Sequence, residues 1–535
     1  MGSGKSKLLR EIVKHFATPE IFVSERILPI HLTFKEFMEG HNTKIKGVLN
    51  ANISPEIFEL IKDNSKIILL LDGLDEIDLS LELSISTLQD LDQQLSEFKN
   101  LKLIVTSRFI DGFSDSDIDK MDIKVFQLGS LSLNKTIEFL QDLCVHLNLK
   151  NRIIEDLKRS TLFRELPRSP IAAILLAQLL NDNSEDIPAN MTELYSKYVE
   201  LSLGRWDIEK GLQSQKEYQV LDNVMMEIAK IMLDNNLIEI SFGDVKHFFS
   251  SYLKERNLSI NPDHLFNRIK KRCEIFYTNE EKQVLSFKHK TFTEFLYAKH
   301  MFKNNALTID SRAFHPYWTN TIFFTIGLYK DCPEFIKELT NYKPLSDGQS
   351  WIKVVNMSNY LLASYTSPYR VVEDAIAQTV IDAAMLYKRV ISGESRNPFG
   401  QMTPMSILYI LQLLIRDAYS YVFFKPAIQT AALTVDESQN PDDIKAYAIF
   451  FLDVMGIELG EANQFEFLLD NYANKMPLDL TMAIYCESKN LSDRSKIIRK
   501  QLHRVKDMLK GNKSIQSRVK ALFENPISEK KGVLK

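Results

Sequence analysis

Residues Lys66–Leu71 read Lys-Ile-Ile-Leu-Leu-Leu and run directly into Asp72-Gly73-Leu74-Asp75-Glu76. A continuous apolar run without alternation describes a strand buried on both faces, the situation inside a parallel sheet flanked by helices. The acidic cluster then falls at the strand's carboxyl end, where open α/β sheets bind their ligands. Leu101–Thr106 (LKLIVT) is a second such run, and Ile27–Leu32 reads as a shorter strand. Lys7–Phe16 places Leu8, Leu9, Ile12, Val13 and Phe16 at helical spacing. The first 130 residues therefore alternate helix and strand, the pattern of an α/β layer fold.

Beyond Leu131 the strand pattern largely stops. Asn134–Leu147, Arg168–Leu180 and Thr192–Arg205 read as helices, and Gln283–Lys288 is a strand running into the helical Thr291–Phe302. Amphipathic helices follow to the end, interrupted at Ser392–Gln401 and Asp436–Asp443. With 18 glycines and 17 prolines in 535 residues, the chain holds about half the usual share of turn formers, which disfavours an all-β fold and favours helix. Its length suggests about three to four domains. Four cysteines lie far apart with no metal spacing, so a reducing interior is expected. No apolar run reaches the ~18–20 residues of a membrane span, and no signal pattern opens the chain. The expected setting is cytoplasmic, without a membrane partner.

Gly2-Ser3-Gly4-Lys5-Ser6 matches the second half of G-x-x-x-x-G-K-[ST]. Glycines let backbone N–H groups curl around phosphate, the lysine reaches the β and γ oxygens, and the Ser6 hydroxyl ligates Mg²⁺. The helix that follows adds its positive end. The pattern's first glycine and its feeding strand would fall before Met1, so a late start is expected, with a loop that is incomplete. In the acidic cluster, Asp72 can hold Mg²⁺ through water, and Asp75 or Glu76 can orient or deprotonate an attacking water. An isolated D-G-L-D-E could be a solvated turn, but a buried strand and an upstream GKS together make that reading poor.

The string apolar-D-G-L-D-E resembles Walker B of the NACHT family, the STAND-type P-loop ATPases of innate immunity. Thr106-Ser107-Arg108 resembles the family's sensor 1, which implies Arg108 near the γ-phosphate. Leu166-Pro167-Arg168-Ser169-Pro170 resembles its small helical domain, which implies that Pro170 packs on adenine, although a proline also suits the first turn of any helix. Phe287-Lys288-His289-Lys290-Thr291-Phe292-Thr293-Glu294-Phe295 resembles its winged-helix signature F-x-H-x-[ST]-F-x-E-[FY], which implies that His289 reaches the β-phosphate of ADP. Phe292, Phe295, Leu296 and Phe302 supply a core stripe for that helix. Lys7 stands where the family often has threonine, a departure of little weight where the backbone N–H binds.

The resemblance implies a P-loop ATPase core over 1–130, a small helical domain over 131–190, a winged-helix region over 191–303, and an all-α C-terminal region over 304–535. It further implies ATP/ADP and Mg²⁺ as cofactors, phosphate contacts from Gly2, Ser3, Gly4, Lys5, Ser6 and Lys7, and self-association on activation. A bacterial-type immune or antiviral sensor is the expected role, with an unknown protein or nucleic-acid trigger read by the C-terminal half. The alternatives are an AAA-like remodelling machine or a scaffold that no longer binds nucleotide. Residues after about Asn304 carry no recognisable motif. From Ser492 to Lys535 there are 13 basic against 4 acidic residues. Lys496, Arg499, Lys500, His503, Lys506 and Lys510 surround a stripe of Ile498, Leu502, Val505 and Leu509. A solvated face is the favoured reading of that helix, and nucleic-acid contact the sharper one.

Overall fold

The computed structural model describes residues 5–40, 44–54, 65–74, 81–107, 170–181, 190–203, 211–272, 275–395, 402–460, 463–473, 475–491 and 513–525, with a few isolated positions between them. Helix α1 (Lys5–Phe16) and α2 (Pro19–Glu25) lead into β1 (Ile27–Thr33), then α3 (Phe34–Gly40) and α4 (Ile45–Asn52). Next come β2 (Lys66–Asp72), α5 (Leu81–Leu95) and β3 (Leu101–Val105). The three strands are parallel in the order β1-β2-β3, with Thr33 opposite Asp72 and Leu71 opposite Val105.

On β2, Ile67, Leu69 and Leu71 share one face and join Phe34, Phe37, Ile45, Val48, Leu49 and Leu91 in a first core. Leu70, on the opposite face, is equally buried, and α1 packs on β1 and β2. The run Lys66–Leu71 lacks alternation because both its faces are covered. Each such side chain contributes roughly 1.5–3 kcal/mol by leaving water. At the end of β1 the chain enters α3 through a capping box. Thr33 Oγ1 accepts from the Glu36 N–H at 3.1 Å, and Glu36 accepts in return from the Thr33 N–H at 2.9 Å. In α1 only Leu9 of the expected stripe is buried, and Leu8 is exposed.

The second core is continuous from Leu140 to Ile484. It begins with α6 (Pro170–Asn181), α7 (Met191–Ser202) and the long α8 (Gly211–Asp234). Then follow β4 (Glu239–Ser241), α9 (Phe242–Glu255), α10 (Pro262–Arg272), β5 (Phe276–Asn279), β6 (Val284–Phe287) and α11 (Lys290–Lys303). The small antiparallel sheet has the order β4-β6-β5. A buried ion pair, Arg268 to Glu217 at 2.8 Å, joins α10 to α8, and Lys299 pairs with Asp222 to join α11 to the same helix.

The remaining helices are α12 (Thr319–Tyr329), α13 (Pro333–Asn341), α14 (Asp347–Ala363), α15 (Tyr369–Ile391), α16 (Pro404–Tyr419), α17 (Lys425–Glu437), α18 (Asp442–Glu458), α19 (Asn463–Tyr472), α20 (Leu478–Leu491) and α21 (Lys513–Glu524). The breaks expected at Ser392–Gln401 and Asp436–Asp443 separate α15 from α16 and α17 from α18. No single described helix is long and apolar enough to cross a membrane. In α11, Phe292, Phe295 and Leu296 are buried as the stripe requires, but Phe302 is 42% exposed. It lies at the last turn, and its ring meets Tyr329 edge-on at 4.8 Å instead of entering the core.

Helices α7 and α12 approach closely at Gly327. An added Cβ there would stand 2.0 Å from Thr192 Oγ1 and 2.8 Å from Thr192 Cβ. Rotating Thr192 cannot relieve a clash with its own Cβ, so the helices must part. Gly327→Ala is expected to lower stability by about 1–3 kcal/mol, read as an earlier denaturation midpoint. A midpoint equal to wild type would contradict close packing of the two helices.

Candidate functional site

At the end of β2 the backbone leaves the sheet through Gly73, whose φ of 84° is reached without steric cost only by glycine. Thr106, the residue after β3, reaches across the strand ends. Its Oγ1 donates to Asp72 Oδ1 and accepts from the Gly73 N–H at 3.0 Å. Main-chain bonds complete the clamp: the Thr106 N–H donates to Leu71 O, and the Leu74 N–H donates to Thr106 O, both at 2.9 Å. Thr106 is buried, so solvent does not compete for these bonds. A carboxylate gripped at one oxygen by a charge-assisted bond keeps a fixed orientation. Ser107 follows, and its Oγ is buried with no hydrogen-bond partner among the described residues. Leaving such a hydroxyl unpaired costs roughly 1–3 kcal/mol, a cost removed by a polar ligand at this edge.

Lys5, Ser6 and Lys7 form the first turn of α1. The Lys7 side chain reaches Glu11 at 2.8 Å, which leaves its backbone as the part suited to phosphate. Together with Lys14, it holds the Glu11 carboxyl below its ordinary range. Gly2, Ser3, Gly4, Asp75, Glu76 and Arg108 lie outside the described residues, as does the basic segment 496–510 apart from His503. Pro170 is the first residue of α6, the position proline prefers in a helix.

His289 caps α11. Its Nδ1 accepts from the Thr291 N–H at 3.2 Å and lies 2.6 Å from Thr291 Oγ1. The Tyr195 hydroxyl of α7 donates to that same Oγ1 at 2.9 Å. Three residues beyond Thr291 in the motif, Glu294 is fully buried on α11 and accepts from Asn320 Nδ2 at 2.9 Å, tying the helix to the first turn of α12. The glutamate of the motif is thus a structural link between helices.

Thr106 was not singled out from sequence as a site residue, since its strand ending drew attention to Arg108. A hydroxyl immediately after a strand that neighbours an acidic strand end is the signal that identifies it. Tyr195 carries no comparable local signal, because its partner is 96 residues away.

The family model described as NACHT C-terminal Helical domain 1 matches residues 359–531, about a third of the chain. The match supports a NACHT-type protein, and it falls in the half where the sequence carries no recognisable motif. No curated protein matches the chain. Among solved structures, Cdc6p from Pyrobaculum aerophilum is similar over 56% of this chain and 86% of that chain, at 13% identity and a TM-score of 0.18.

The donor set at the sheet edge fits a magnesium-bound phosphate. Asp72 offers a fixed hard oxygen, the ligand type that Mg²⁺ takes, and Ser107 offers a buried hydroxyl without a partner among the described residues.

Proposed function

We propose that the chain is a NACHT-type nucleotide-switched ATPase that closes on ADP, opens on ATP and then self-associates. The observation that carries this reading is the clamp of Asp72 by Thr106 at the carboxyl edge of the parallel sheet. Asp72 and the Ser6 hydroxyl would hold the Mg²⁺, which when bound neutralises phosphate charge. Lys5 and the backbone of Gly2–Lys7 would hold the phosphates, Pro170 would face the adenine, and Asp75 or Glu76 would orient the water, with Arg108 near the γ-phosphate. The connection α8-β4-α9-α10-β5-β6 with sheet order β4-β6-β5 supports reading 191–303 as a winged-helix region, with His289 at the cap of the helix that follows.

In this account His289 grips the β-phosphate of ADP and holds the closed form. The trigger, a protein or nucleic acid met by the C-terminal helices, shifts the balance because it binds one arrangement better than the other. Helix α12 packs on both α7 and α11, which gives the C-terminal half a direct purchase on the helix that His289 caps. The immune or antiviral role rests on the NACHT resemblance.

His289→Ala removes a hydrogen bond to charged phosphate, about 1.5–3 kcal/mol, and so shifts a two-state balance about 10- to 150-fold toward the open form. Weaker ADP binding and trigger-independent assembly on size exclusion are expected. ADP affinity and elution both equal to wild type would remove His289 from the switch.

A further inference from the structure

Tyr195, Thr291 and His289 stand in one hydrogen-bonded line that runs from the second core to the cap of α11. The Thr291 N–H points at Nδ1 of His289. A ring nitrogen that receives an N–H presents a lone pair, so this long 3.2 Å bond favours the proton of the neutral imidazole on Nε2 without fixing it alone. The Thr291 hydroxyl lies against the same Nδ1 and has one proton to give. Tyr195 donates to Thr291 Oγ1 and takes one of that oxygen's two lone pairs, which favours turning the Thr291 proton toward the imidazole nitrogen 2.6 Å away. Tyr195 and Thr291 are both fully buried, where hydrogen bonds strengthen one another and water does not compete. The Tyr195 ring is itself wedged among Phe292 at 5.6 Å, Phe295 at 5.9 Å and Phe324 at 4.9 Å.

We propose that Thr291 and Tyr195 are positioning residues that lock His289 as an Nε2–H donor, the form that can bond a phosphate oxygen, without touching the nucleotide themselves. The proposal rests on the reading of His289 as the phosphate ligand. It also assigns a task to the threonine of the string Phe287–Phe295 that helix capping alone would not require, because the backbone N–H already serves the cap.

Three variants separate this role from packing. Thr291→Ser keeps the hydroxyl. Thr291→Val removes it and takes from the buried Tyr195 hydroxyl the acceptor it bonds at 2.9 Å. The double variant Tyr195→Phe with Thr291→Val removes both polar groups at nearly constant volume and leaves no orphan. In the full chain, ADP titration should show Thr291→Ser close to wild type and the double variant weaker by about five- to tenfold, the effect of one lost neutral hydrogen bond. Histidine-selective ¹⁵N NMR reads the lock without nucleotide: His289 should carry its proton on Nε2 in wild type and Thr291→Ser, and show a mixed population in the double variant.

A proton on Nδ1 in wild type would overturn the proposal, and so would one tautomer population in all three proteins. So would a double variant that binds ADP like wild type while His289→Ala binds it less well. If His289→Ala binds ADP unchanged, the phosphate-ligand reading fails, and the tautomer measurement still decides the lock.

Discussion

Asp72→Ala should abolish Mg²⁺-dependent nucleotide binding, with a loss of about 100-fold or more in affinity, equivalent to about 2.7 kcal/mol or more. The size follows from what is lost. In the proposed reading Asp72 would supply the oxygen for the metal, and its Oδ1 accepts the Thr106 hydroxyl. Alanine removes the ligand and strands that buried donor. Thr106→Val is the informative companion, since it leaves the carboxylate in place but frees it to rotate. About tenfold weaker Mg²⁺-dependent binding is expected, with Mg²⁺-independent binding unchanged. Glu76→Gln should bind ATP normally and hydrolyse it slowly, accumulating the open form. Titrations of Mg²⁺ at fixed nucleotide check the Asp72 and Thr106 variants, and ATP turnover checks Glu76→Gln. Equal Mg²⁺ dependence in Asp72→Ala and wild type would place the metal elsewhere, and unchanged turnover in Glu76→Gln would pass the catalytic role to Asp75.

The second large effect is on stability. Asp453 lies in α18, fully buried, and neither carboxylate oxygen has a hydrogen-bond partner among the described residues. Burial pushes its carboxyl well above its ordinary value of 3.8, so the folded chain keeps a proton that the unfolded chain gives up. Because the folded form binds that proton more tightly, its stability is greatest below the ordinary carboxyl range. It declines as pH rises above 3.8 toward the raised folded value, at about 1.4 kcal/mol per pH unit while the difference lasts. Asp453→Asn should erase this decline and be the more stable protein at neutral pH. Asp453→Val should also recover part of the roughly 1–3 kcal/mol cost of an unpaired buried polar group. Denaturant midpoints between pH 5 and pH 8 check both. A wild-type curve parallel to that of Asp453→Asn would mean that this carboxyl is solvated or paired.

What the sequence made legible is what local pattern encodes. The unbroken run Lys66–Leu71 specified a strand with both faces covered, and it forms the centre of the described parallel sheet. The helix after Gln283–Lys288 was readable from spacing, because Phe292, Phe295 and Leu296 fall on one face. Phe302 failed for a local reason: at the final turn the core had ended, and spacing carries no information about where a partner surface stops. The clamp on Asp72 was half visible. The strand endings could be read, but the hydroxyl that joins them needs the strand order, which places Thr106 beside Gly73 across 33 residues. The line from Tyr195 to His289 was not legible, since α7 and α11 meet only through the folded core. Asp453 was hidden for the opposite reason. Burial among apolar neighbours determines its state, and one carboxylate in an amphipathic helix looks solvated until its face is known. The C-terminal helices carry no short motif, and only a model spanning 359–531 detects their NACHT-type likeness.

Bound ADP, in the proposed reading, holds the chain closed. The most direct test of that reading is the nucleotide content of the full chain after gentle purification in Mg²⁺, measured by chromatography of the acid extract beside the rate of ATP turnover. Close to stoichiometric ADP that exchanges slowly is expected, with slow turnover, and loss of that ADP from both Asp72→Ala and His289→Ala. A chain that carries no nucleotide and binds no added Mg²⁺-ADP, or one that retains no ADP while turning over ATP steadily, would contradict it.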